Sequence, residues 1–220
     1  MSLYLREEIQ AEAATRNLNA FTEFLDAIAL SNGDEISYES LARDCGVSPG
    51  TLRNYVQILS DTLIGFSLPG YTKTRKRKAT VRAKHFLFDI GVANSLARRG
   101  TILPKSELFG KAFEHFIIGE VRAYLSYRRA NAKMFYWRSQ SGFEVDLIIQ
   151  DRLAVEVKST ELVSDKHLKG LRAFKEEGLL PNYAVVSQDA TLRRSHDGIT
   201  IYPWSTFLKL LWSDQLLANI

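Results

Sequence analysis

The chain has 220 residues, enough for one large domain or two small ones, each with a core. Apolar residues make up 45% and charged residues 25%, and no apolar run approaches the roughly 18–20 residues that cross a bilayer, which excludes a helical membrane protein. The net charge is +4, and the one cysteine, Cys45, excludes an internal disulfide and a cysteine-based zinc site.

The opening residues, Met1 to Glu8, lack the basic-then-apolar pattern of a secretory signal, and the expected compartment is the cytoplasm. Residues 1–16 are polar and helix-favouring, and read as a lead-in linker or helix. From Leu18 to Leu30, apolar residues at Phe21, Phe24, Leu25 and Ile28 follow a helical period. Asn32-Gly33-Asp34 breaks it, and a short strand at Ile36 and Ser37 should precede a helix over Tyr38–Asp44. Gly46 suits a turn that needs positive φ. Ser48 is a helix cap and Pro49 a first helical residue. The helix they open carries Leu52, Tyr55, Val56 and Leu59 on one side, which makes a helix-turn-helix. Residues 66–71 and 84–89 then read as the two strands of a wing. A winged helix-turn-helix domain over 17–100 is expected.

Charge is uneven along this half. Residues 1–70 carry four basic and ten acidic side chains, whereas 71–84 carry seven basic and none acidic. The basic run is expected at the wing tip, and any polyanion should bind there, through Lys73, Arg75, Lys76, Arg77 and Lys78. Arg53 and Asn54, on the outer side of the second helix, are the residues that could reach bases. The acidic surroundings of that helix oppose a phosphate backbone, so the module can equally serve protein packing.

Beyond residue 101 the pattern changes to an α/β domain over 101–220. A long amphipathic helix spans 107–127 and strands follow at 134–138, 143–150 and 153–159. A helix at 165–177, strands at 183–187 and 199–202, and a terminal helix from Pro203 complete a sheet flanked by helices.

Chemistry concentrates in two of these strands. Strict alternation puts Val145, Leu147 and Ile149 on one face and Glu144 and Asp146 on the other. In the next strand Glu156 and Lys158 share a face. A hairpin at Gln150-Asp151-Arg152 can bring Asp146 and Glu156 together. Two carboxylates and the Val157 carbonyl make an oxygen site for Mg²⁺ or Mn²⁺, which polarises a phosphodiester and activates water. Lys158 would stabilise the developing charge, and Glu114, on the long helix, would serve as a further ligand or base. Glu144 could substitute as a ligand. Arg138 either packs in the sheet or contacts a phosphate. His115 points about 100° away from Glu114 on the helix, and His85, His167 and His196 read as surface residues.

Asp146 followed by Glu156-x-Lys158, with a helical Glu114 before them, resembles the PD-(D/E)XK nuclease pattern. The ordered series YLREEI, LARDCGVSPGTLRNYVQIL, FLFDIGVAN, FGKAFEHFIIGEV, FYWRSQSGFEVDLII and LAVEVKS, over residues 4–160, resembles the C-terminal region of archaeal and bacterial AAA+ ATPases known as the DUF4143 family. That resemblance implies a winged helix followed by a restriction-endonuclease-like mixed sheet. It also implies an effector region that binds DNA and cleaves phosphodiesters, or an inactive fold that regulates the ATPase or docks a partner protein. The P-loop of that family, GxxxxGK[ST], is absent from this sequence, so ATP enters only through an ATPase module that would precede it.

Overall fold

The computed structural model describes residues 17–217, and the lead-in segment 1–16 lies outside them. The chain forms two units. One comprises residues up to Leu68 together with Arg82–Ile102, and the other comprises Pro69–Val81 together with residues from Leu103 onward. Among the described residues there are seven α-helices and a mixed six-stranded sheet. No helix among them is long and apolar enough to cross a membrane.

In the first unit, α1 (Leu18–Leu30) begins where the Asn17 side chain accepts the Ala20 amide at 3.1 Å. α2 (Tyr38–Asp44) and α3 (Pro49–Asp61) start at Ser37 and Ser48, whose hydroxyls accept backbone amides and satisfy donors that helix starts leave open. Gly46 takes φ +63° in the turn between them, the left-handed conformation that a residue with a Cβ resists. β1 (Gly65–Leu68) and β2 (Lys84–Leu87) pair antiparallel, with Glu35 rather than Ile36 bridging to Lys84. α4 (Ile90–Leu96), which the periodicity does not reveal, is capped by Asp89. Phe21, Phe24, Leu52, Tyr55 and Leu87 share one core, and Cys45 is buried in it as a free thiol. His85 is buried too, contrary to its expected surface position: its Nδ1 lies 3.0 Å from the Ser67 hydroxyl.

The second unit is built on the sheet β3-β4-β5-β6-β8-β7. β4 (Glu144–Ile149) runs antiparallel to both of its neighbours, β3 (Met134–Arg138) and β5 (Leu153–Lys158), and β5 is parallel to β6 (Asn182–Ser187). β6 is parallel to β8 (Thr200–Pro203), and a two-residue β7 (Arg193–Arg194) closes the edge antiparallel to β8. α5 (Glu107–Tyr127) packs on β5, and α7 (Trp204–Trp212) packs on α5, β6 and β8. The helix expected over 165–177 is a 3₁₀ turn at Asp165–Leu168 continuing into α6 (Lys169–Lys175). Trp137, Ala154, Leu171, Phe174, Val185 and Ile201 form the core under α6.

The basic run is not a wing tip. Residues 69–81 leave the β1 strand and lie along the edge of the second unit's sheet, where Gly70 bridges to Tyr136 and Ala79 to Ser139. The Tyr71 ring enters the sheet core between Phe135 and Phe174. An unpaired strand edge next to an aromatic slot holds this segment better than solvent does.

Candidate functional site

The β4–β5 pairing ends at Leu147 opposite Val155, and one more step of that register sets Asp146 opposite Glu156. The alternation expected for β4 fails at this point. Between the pairs Phe135–Ile148 and Trp137–Val145, β4 carries one residue more than β3, so Val145 and Ile148 enter the same core. This is a β-bulge, which bends the strand and redirects a side chain. Val157 presents the next amide of β5 toward β4, and Asp146 Oδ2 accepts it at 2.8 Å in place of a main-chain carbonyl. A strand residue's N–H and C=O face the same neighbour, so the Val157 carbonyl also faces β4.

Asp146 and Glu156 are 6% and 5% exposed. Lys158 Nζ donates to Glu156 Oε1 at 2.6 Å, while Glu156 Oε2 is buried with no hydrogen-bond partner. Burial and then the adjacent Asp146 charge hold the Glu156 carboxyl well above the usual carboxylate range, although Lys158 opposes them. For Lys158, burial opposes the charged form, but Asp146, Glu156 and Glu114 together outweigh it and raise the ammonium above the ordinary lysine value. Glu114, half-buried on α5, thus lies within electrostatic range of Lys158. Among the described residues no three His, Cys, Asp or Glu side chains are gathered closely enough to enclose an ion by themselves.

Arg138 and Glu144 are partners across β3 and β4. Arg138 donates from Nε at 3.1 Å and from a terminal nitrogen at 2.6 Å to Glu144 Oε2. α6 approaches this pair closely, because a Cβ on Gly170 would sit 1.9 Å from the Glu144 carbonyl oxygen.

Of the five cations in the basic run, Lys73 pairs with Asp151 at 2.9 Å and Arg77 with Glu176 at 2.6 Å. Lys76 Nζ donates to the Glu176 carbonyl. Successive amides of Arg75, Lys76 and Arg77 donate to the Glu177 carboxylate at 2.8, 2.9 and 3.0 Å. Arg75 and Lys78 extend into solvent with no side-chain acceptor among the described residues. In the first unit the Arg53 guanidinium turns back over the Tyr38 ring at 5.4 Å, near Glu39, and Asn54 is exposed.

Sequence reasoning missed the support at the ends of β5 and β6. Asp189 accepts from the Ser187 hydroxyl, the Val163 amide and the Arg193 guanidinium, all at 2.6–2.9 Å. Ser187 stands beside Lys158 in the register. The four-residue spacing of Asp189 and Arg193 was a visible signal for one of these contacts. His167 is half-buried: its Nδ1 accepts the Ser164 amide, and burial, followed by Lys166 and Lys158, lowers its pKa.

Residues 109–207 match the family model described as "Domain of unknown function (DUF4143)". Residues 1–102 match a separate one, "Domain of unknown function (DUF8612)". The DUF4143 match thus covers the second unit's sheet, whereas the resemblance had been expected over 4–160. The chain is 28% identical over 201 residues to an uncharacterized protein of Mycobacterium bovis and to one of Mycobacterium tuberculosis. These alignments cover 87% of this chain and 43% of each relative, so the chain spans less than half their length. No solved structure matches.

Proposed function

Starting from the DUF4143 match over residues 109–207, we propose that the second unit is a nuclease-like domain that acts on DNA phosphodiesters. It would be the C-terminal effector region of a longer AAA+ ATPase, with the first unit as a winged helix-turn-helix module. The observation that carries this reading is the buried Asp146–Glu156 pair, with the half-buried Lys158 on Glu156, at a bulged strand pair. Two acids side by side in low dielectric repel each other, and a cation between them removes the conflict. Asp146, Glu156 and the Val157 carbonyl offer oxygen alone, the donor type that Mg²⁺ and Mn²⁺ prefer. Glu156 Oε2, buried and unbonded, is the atom such a donor set leaves for an ion. When bound, the ion supplies Lewis-acid polarisation of a phosphoryl oxygen and a more acidic water.

The chain's own groups do the rest. Lys158 stays protonated and balances negative charge on the phosphoryl oxygens. Glu114 supports that charge from α5. Arg138, paired with Glu144, adds positive charge beside a flanking phosphate. Arg75 and Lys78 hold the backbone further along. Plasmid and oligonucleotide cleavage with Mg²⁺ or Mn²⁺ tests the reading. The wild type should cleave, and Asp146→Asn and Glu156→Gln should each lose at least about a hundredfold in rate, the scale of removing one charge-stabilising group. Equal cleavage by wild type and variants would point to a contaminant and sink the assignment.

A second reading has its own support. The 2.6 Å Lys158–Glu156 ion pair is complete without a metal, as a non-catalytic module docking on the ATPase or another protein would allow. Titration calorimetry separates the two, because no Mn²⁺ binding by the folded wild type at millimolar concentration selects the second.

A further inference from the structure

At the end of the sheet where β5, β6 and β8 begin lies a cavity of about 250 Å³ that the acidic site does not use. Its wall draws on the β4–β5 turn (Arg152), the start of β6 (Asn182), β7 (Arg194), β8 (Thr200, Tyr202) and the turn after α7 (Gln215). None of the residues lining it is acidic. Arg194, a lining residue, donates from Nε to the Gly198 carbonyl at 3.2 Å, and its terminal nitrogens have no acceptor among the described residues. A Cβ on Gly198 would lie 3.4 Å from Arg194 and 3.8 Å from Lys175 Nζ, so Lys175, which donates to the Asp197 carbonyl outside the cavity lining, adds positive charge near this turn. Thr200 and Tyr202 stand two apart on β8 and share a face of the sheet, with Leu210 of α7 among the other lining residues.

A wall that combines the cations Arg152 and Arg194 with two side-chain amides, a hydroxyl, tyrosines and leucines suits one ligand chemistry. It fits a phosphate joined to a planar, partly apolar body that carries hydrogen-bonding edges. The volume is that of one small molecule rather than a polymer. We propose that this cavity binds a nucleoside monophosphate, its phosphate on Arg194 with Lys175 adding charge, and its base against Tyr202 and the leucines. Asn182 and Gln215 would meet the base edge. The site is separate from the acidic group and does not depend on the nuclease reading, because it lies where β5 begins and Glu156 and Lys158 lie where it ends.

The test is calorimetric titration of the full chain with AMP, GMP, CMP and UMP, alongside inorganic phosphate and ribose 5-phosphate. At least one nucleotide should bind with a Kd below about 1 mM, and more tightly than either phosphate control. Arg194→Ala should weaken it roughly tenfold or more while Arg194→Lys retains part of the affinity, because a charge-assisted bidentate contact becomes a point charge. Asp146→Asn should leave it unchanged. The proposal is overturned by no binding at about 10 mM, which is weaker than any specific site of this size requires. It is equally overturned if inorganic phosphate binds as well as the nucleotides, if Arg194→Ala has no effect with its melting temperature intact, or if Asp146→Asn abolishes the signal.

Discussion

Asp146 combines a buried hydrogen bond with a charge. Oδ2 takes the amide of Val157, and the carboxylate charge faces Glu156. Asp146→Asn keeps an acceptor and loses the charge, whereas Asp146→Ala also strands a buried amide, which costs about 1–3 kcal/mol. Both variants should lose Mn²⁺ binding in calorimetry, but only the alanine should lower the melting temperature; equal melting would remove the structural role of Oδ2. Gly170 is a second sensitive position. An added methyl there meets the Glu144 carbonyl oxygen at 1.9 Å, so α6 has to move, and Gly170→Ala should cost about 1–3 kcal/mol in urea denaturation. His85 sets an acid limit on the first unit. Burial lowers its pKa to about 4, so between pH 6.5 and about 4 the unfolded chain binds a proton that the folded one does not. Stability is then full above pH 6.5 and falls as pH drops through this window, by about 3 kcal/mol at the lower end. His85→Gln should flatten that dependence in denaturant melts at pH 7, 6 and 5.

Among the elements, helices were the most legible. α1, α3 and α5 announce themselves through apolar spacing, and α3 also through Ser48 and Pro49, because capping and periodicity are local properties. α4 is seven residues long, too short for a period to stand out. The 69–81 segment was misjudged because its anchor is distant in sequence. The Glu177 carboxylate, its side chain 1% exposed, gathers three amides from residues about a hundred positions earlier. Glu177→Ala removes all three acceptor contacts while leaving the sheet pairs intact. Trypsin should then cut after Arg75 and Lys76 several-fold faster than in the wild type, since local opening controls such cleavage. An unchanged digestion pattern would show that Tyr71 and the bridges to Tyr136 and Ser139 suffice.

For the whole molecule, the division into units redraws the charge map. The first unit has eight basic and eleven acidic side chains, and the second has twenty-one and fourteen. A positive unit carrying the acidic pair and a negative unit carrying α3 make the sheet unit electrostatically the more favourable of the two for any polyanion. Arg75→Ala with Lys78→Ala should therefore weaken DNA binding and lower the slope of log affinity against log salt by about 2, one released counterion per lost contact. Arg53→Ala should change that slope little, and the reverse result would return DNA contact to the helical unit.

The residues of the proposed site were visible in one dimension: a glutamate on an amphipathic helix, an aspartate, and a glutamate–lysine pair in apolar strands. So were most helices and strands, since their signals lie within a few residues of one another. The bulge beside Asp146, the burial of His85, the seat of the basic run on Glu177 and the Asp189 network that joins Ser187 at the end of β6 emerged only with the folded chain. Each depends on groups far apart in sequence, whose meeting is decided by packing and by the need to satisfy every buried charge and amide.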